Sequence, residues 1–294
     1  MSTPALPARK LDVIVLIIML NLAIYLAQLF VHRGRPLTPA ELIAWGGNVA
    51  PLTMAGEPQR LFTSMFLHAG FLHLTLNLYT LFALGPIVER MFGSLRFSLI
   101  YVLSGMFGGL LSAAWNAHHT TTRMTVVMGE LVTTEQLQLQ LVVSTGASGA
   151  LMGIAGACLA HHLAAARQEA GGDTASVRGP MIQTIGIALV MGTLTPGVDN
   201  ACHAGGLLAG FLLGGVLALT GTGQNWRRAV VPATTASVSL VMMAAILQGE
   251  PTAGLLVLKA QLVAEPPSTA AMVATGRQAV ASNRNRAPTS LLQR

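Results

Sequence analysis

The strongest constraint on this chain is the run of uncharged residues from Leu11 to Val31. It is 21 residues long with a single charge, Asp12, at its edge. About 20 apolar residues in an α-helix cross the hydrocarbon core of a bilayer. Similar stretches follow at about 62–84, 96–115, 144–163, 180–196, 201–220 and 229–249. Only 10% of the residues are charged and 52% are hydrophobic, where a soluble protein carries about a quarter charged. Backbone groups inside a bilayer have no water to bond, so such runs must be helices. The sequence predicts an all-α, multi-pass integral membrane protein.

The runs divide the chain. Residues 1–10 are a short N-terminal tail and 11–220 hold six spans, with a long first loop at 32–60. A linker at 221–228 leads to a seventh, C-terminal transmembrane helix at 229–249. A tail at 250–294, partly disordered, completes the chain. No small-x-small cleavage site follows the first run, which reads as a retained helix. The net charge of +6 sits at loop ends, so it is an orientation signal and not a nucleic-acid footprint. With the N-terminus inside, inner segments before the seventh span carry eight basic residues and outer ones four. This bias predicts a cytoplasmic N-terminus, as in the bacterial cytoplasmic membrane. Arg33, Arg35, Arg60 and Arg123 then lie outside, and the segment 167–179 lies inside.

Several spans contain polar residues that hydrocarbon would not tolerate, so they face the bundle interior or a cavity. His73 and Asn77, four apart, share one helix face. Ser148 lies in Gly146-Ala147-Ser148-Gly149, at the start of an uncharged run. A helix start offers free N–H groups and a positive dipole end. His203, Gly206, Gly210 and Gly214 recur along one face of the sixth span. Small residues on the fourth and sixth spans let their backbones approach. Both spans start outside, which puts Ser148 and His203 at similar depth. A nucleophile, a base and oxyanion donors are the parts of an acyl-transfer site. Asp199, four before His203, reads as a helix cap more readily than as a third triad member.

Together these motifs resemble the rhomboid intramembrane serine proteases. The matching residues are His73-x-x-x-Asn77, Gly146-x-Ser148-Gly149 and Cys202-His203-x-x-Gly206, on the second, fourth and sixth spans. Arg60-Leu61-Phe62-Thr63-Ser64-Met65-Phe66-Leu67-His68 and Gly85…Glu89…Gly93 support the match, which covers about residues 55–220. The resemblance implies a six-helix rhomboid-like bundle and a catalytic dyad of Ser148 and His203. It implies transition-state stabilisation by His73, Asn77 and the Ser148 backbone. It makes His68 a structural hydrogen-bonding residue and gives supporting places to Gly146, Gly149, Met152, Gly206 and Gly210. Transmembrane protein substrates are implied, with the bilayer as the medium.

Three positions depart from that pattern. Cys202 stands where alanine is usual, Met152 where an aromatic residue often packs on the histidine, and Gln59 where tryptophan often precedes the first-loop arginine. Gln59 leaves open how that loop is anchored.

Other classes are less well served. Cys158 and Cys202 provide no disulfide framework or metal site, and there is no His-Glu-x-x-His motif or intramembrane aspartate pair. No cofactor, metal or nucleic acid is expected. A polytopic transporter with midplane polar ligands remains an alternative, as does a non-proteolytic rhomboid-like binder of membrane proteins.

Overall fold

The structure is a computed structural model. It describes residues 12–118, 142–168 and 198–219, with short pieces at 122–123, 136–137, 182, 185–186, 259–260 and 263. The long helices are α1 (Asp12–Val31), α5 (Phe71–Phe92), α6 (Ser94–His118), α7 (Ser148–Gln168) and α8 (Asn200–Leu219). Three short helices lie between α1 and α5: α2 (Pro39–Ala44), α3 (Ala50–Thr53) and α4 (Arg60–Thr63). A 3-10 turn at Ser64–Phe66 follows them. Beyond α6, only a two-residue antiparallel pair, Thr122–Arg123 with Gln136–Leu137, is strand among the described residues. The predicted fifth span and the predicted seventh helix lie largely or wholly outside the described residues.

Four described helical segments are long and apolar enough to cross a membrane: Val13–Val31, Phe71–Phe92, Ser94–Ala117 and Asn200–Ala218. The chain is an all-α, multi-pass integral membrane protein. Leu16, Met19 and Phe30 on α1, and Phe71, Tyr79 and Phe82 on α5, are exposed large apolar residues, as a lipid-facing surface requires. Asn21 and Gln28 on α1 are fully buried. Seven residues apart, they share the face turned toward the bundle. The apolar part of α7, Ser148–Ala164, is shorter than the others. Its Ala150, Ile154, Ala157 and Cys158 are wholly buried, so protein surrounds it and lipid contact does not dictate its length.

The second span differs from its sequence-based bounds. Residues 62–66 belong to the short elements before it, and the helix begins at Phe71. α5 runs on through Gly85 to Phe92 with Pro86 inside. Proline is tolerated within a packed membrane helix because neighbours re-satisfy the freed carbonyl. The turn is confined to Gly93, whose φ of +83° favours glycine. Its N–H donates to the Glu89 carbonyl at 2.7 Å, and Ser94 Oγ donates to Glu89 Oε1 at 2.6 Å.

The first loop is folded. Thr38 and Glu41 form a reciprocal capping box at the start of α2, with Pro39 in the first turn. Glu41 also pairs with Arg35, and His32 Nδ1 lies 3.1 Å away from it. The Arg35 guanidinium, with the Thr38 N–H, holds the Glu41 carboxyl well below the usual carboxylate range. Leu42 and Ile43 are buried, and Trp45 Nε1 donates to His32 Nε2 at 3.1 Å. Arg60 provides the anchor that Gln59 had put in question. Its Nη1 donates to the carbonyls of Ile43 (2.6 Å) and Gly47 (2.9 Å), and its Nε to Glu57 at 2.7 Å.

Candidate active site

Four helices, α5 to α8, build the site, and glycines decide how closely they meet. A Cβ on Gly206 of α8 would overlap the Gly149 carbonyl of α7. One turn on, a Cβ on Gly210 would overlap the Gly153 carbonyl, and next one on Gly214 would overlap Ala157. The residue numbers rise together along both helices, so α7 and α8 run parallel with backbones in contact. On α6, Gly105 faces Ala150 and Gly108 faces Cys202 and Gly206. A seam of this kind needs small residues, because any side chain would hold the helices apart.

Parallel packing brings the two starts level. Ser148 is the first residue of α7, and Asp199 caps α8 through Oδ1, which accepts from the Cys202 N–H at 3.0 Å. His203 lies one turn into α8, where its Nε2 sits 2.8 Å from Ser148 Oγ. His203 is 7% exposed and Ser148 is half-buried. The cap expected of Asp199 is present, and among the described residues its other oxygen and His203 Nδ1 have no hydrogen-bond partner. Ser148 begins its helix, so its peptide N–H is one of those a helix leaves without an intrahelical acceptor.

His73 and Asn77 reach the same place from α5. A Cβ on Gly146 would lie 2.6 Å from the His73 ring and 3.5 Å from Asn77 Nδ2. Gly146 also has a φ of +106°, so two independent reasons favour glycine two residues before Ser148. Asn77 Nδ2 gives one hydrogen to the His73 carbonyl at 2.9 Å, and an amide nitrogen has a second to offer. The His68 ring, wholly buried, packs edge-on against His73 with centroids 5.2 Å apart.

The segment before Ser148 is fixed by residues far away in sequence. Gly146 N–H donates to the Ser64 carbonyl at 2.9 Å. Asn48 and Ser144 exchange both backbone hydrogen bonds, at 3.1 and 2.8 Å. The Asn48 side chain, 1% exposed, donates to the Gly109 carbonyl of α6 at 2.8 Å and accepts from Thr53 Oγ1 at 2.7 Å. Sequence reading did not single out Asn48. Its only local signal was a polar residue after Gly46-Gly47 in an otherwise apolar stretch.

Two further placements follow. Cys202 is buried, with its Sγ 2.7 Å from where a Cβ of Gly149 would be and 3.2 Å from that of Gly108. It fills the junction of α6, α7 and α8. At the other end of α7, His161 packs edge-on against Phe92 at 5.4 Å, and His162 Nδ1 lies 2.8 Å from the Cys158 carbonyl.

Comparison with known proteins shows the family. Residues 55–220 match the rhomboid domain family. The chain is 30% identical over 203 residues to Rhomboid protease AarA of Providencia stuartii, covering 67% of this chain and 69% of that one. It is 31% identical over 196 residues to Rhomboid protease GluP of Bacillus subtilis (strain 168), covering 67% of this chain and 33% of that one. It is 36% identical over 166 residues to RHOMBOID-like protein 6, mitochondrial, of Arabidopsis thaliana, covering 56% of this chain and 46% of that one. The matched region thus spans less than half of the latter two relatives. With the domain match extending across the helices that carry Ser148, His203, His73 and Asn77, this chain belongs to the rhomboid family.

Proposed function

We propose that this protein is an intramembrane serine endopeptidase that cleaves transmembrane proteins through a dyad of Ser148 and His203. The observation that carries this reading is the 2.8 Å contact between Ser148 Oγ and His203 Nε2, made by helices whose starts are level. In this reading Nε2 takes the Ser148 proton as Oγ attacks a substrate carbonyl, then returns it to the leaving amine. The Ser148 N–H, Asn77 Nδ2 and the His73 ring receive the developing oxyanion. Water then hydrolyses the acyl-enzyme with His203 again as base. Gly146, Gly149, Gly206 and Gly210 hold the helices close enough for this, and His68 packs against the His73 ring.

A transmembrane substrate is helical, so its scissile carbonyl is already hydrogen-bonded. Cleavage needs local unwinding, which leaves backbone groups unpaired in lipid. The polar side chains at the site on α5, α7 and α8 offer them partners. Substrates with glycine or proline near the scissile bond fit this requirement. The proposed setting is the bacterial cytoplasmic membrane, with the N-terminus cytoplasmic and the site opening outward, on the basic-residue bias of the loops.

The test is labelling of membranes with a fluorophosphonate probe. Wild type should label and Ser148→Ala should not, while Ser148→Ala and His203→Ala should each abolish cleavage of a membrane substrate. Label that is independent of Ser148, or absent from the wild type, favours a solute transporter or a non-proteolytic binder.

A further inference from the structure

A sulfur-rich cluster lies away from Ser148 and His203. Met91 is in the last turn of α5, and Cys158 and His162 are one turn apart on α7. Cys158 Sγ lies 3.7 Å from Met91 Sδ and 3.6 Å from His162 Nδ1. Cys158 is wholly buried, while Met91 and His162 are half-buried. Cys158 stands about 15 Å farther along α7 than Ser148. Beside the cluster, the buried Phe92 and His161 meet edge-on at 5.4 Å, so α5 and α7 are in fixed register where the three side chains converge.

The donor atoms suit a metal. An ion bonded at about 2.3 Å to sulfur and about 2.0 Å to nitrogen sets neighbouring ligand atoms about 3.5–4 Å apart, and both separations here fall in that range. Among the described residues no three of His, Cys, Asp and Glu gather, so the Met91 thioether completes the set. A thiolate, a thioether and an imidazole are soft ligands, which select copper(I) over magnesium, calcium or manganese. Charge decides against zinc. Cys158 binds as the thiolate and its proton leaves to water. With a monovalent ion the site is then neutral, whereas a divalent ion would leave a buried positive charge with no carboxylate in the set. His162 Nδ1 now faces the Cys158 carbonyl at 2.8 Å. If its proton moves to Nε2, Nδ1 is free to bind the metal, and the carbonyl keeps its helical N–H partner.

We propose that Met91, Cys158 and His162 form a three-coordinate copper(I) site that braces the last turn of α5 against α7. The two sulfur ligands are 67 residues apart, so sequence spacing conceals the site. It does not depend on the protein being a protease.

The test is titration of the purified full chain with Cu(I), in ascorbate and in competition with bicinchoninate. Wild type and Cys202→Ala should each retain one equivalent. Cys158→Ala should abolish retention. Met91→Leu, which conserves volume, and His162→Gln should each weaken it by at least the roughly tenfold to hundredfold lost when an outer partner of a metal ligand is removed. Cu(I) should raise the unfolding midpoint of wild type and not that of Cys158→Ala. X-ray absorption at the copper edge of the wild-type complex, which needs no variant, should show two sulfurs and one nitrogen. No retention by wild type, equal affinity in Met91→Leu, loss of binding in Cys202→Ala, zinc held in preference to Cu(I), or a copper shell without two sulfurs overturns the proposal.

Discussion

Gly206 and Gly149 meet backbone to backbone: a Cβ on Gly206 would occupy the space of the Gly149 carbonyl oxygen. Gly210 stands in the same relation to Gly153, whereas a Cβ on Gly215 would meet Ala160 at an ordinary 3.9 Å. Gly206→Ala and Gly210→Ala should each destabilise the protein by about 1–3 kcal/mol, the usual cost of overpacking. They should also lower turnover, because α8 carries His203. Gly215→Ala should leave both unchanged. Thermal unfolding in detergent beside a turnover assay separates the three, and a harmless Gly206→Ala would refute the tight seam.

In the proposed mechanism Asn77 bears on the developing charge. Asn77→Ala should lower turnover by roughly tenfold to a thousandfold with little change in KM, the behaviour of an oxyanion donor. His73→Ala should act in the same direction. Steady-state kinetics on one membrane substrate decides it, and unchanged turnover in Asn77→Ala removes that residue from the proposed role.

Cys202 invites a cysteine-protease reading because it precedes the histidine. Neighbouring helix residues point about 100° apart, so its sulfur faces Gly108 and Gly149 while His203 faces Ser148. Cys202→Ala should keep activity and serine-probe labelling. Cys202→Leu should impair both, since there is no room at the junction of three helices. Loss of activity in a folded Cys202→Ala protein would reject this account.

Asn48 joins the first loop, α6 and the strand-like segment before Ser148. Asn48→Ala leaves the Gly109 carbonyl and Thr53 hydroxyl without their partner, at a cost of about 1–3 kcal/mol. Amide exchange at Ser144 should quicken at the same time. Native protection at Ser144 in the variant would show that the backbone bridge holds without the side chain.

Much of the site could be read in the sequence because it rests on short spacings. The i, i+4 relation of His73 and Asn77 and the glycine period of α8 are local, and both survive into the structure. The shared depth of Ser148 and His203 followed from counting spans. What the sequence hid depends on distant partners. Asn48 matters because of Gly109 and Ser144, 61 residues and farther along the chain. The helical path through Pro86 depends on packing, which local propensity does not record.

The 55 residues between Ser148 and His203 also set a clock. At about 5–20 residues per second, synthesis takes roughly 3–11 s to pass from one to the other. In the proposed dyad the serine therefore reaches the membrane that long before its base. On that reading the newborn chain is inert toward its neighbours, and toward itself, until α8 has been delivered and lies in register along the glycines of α7.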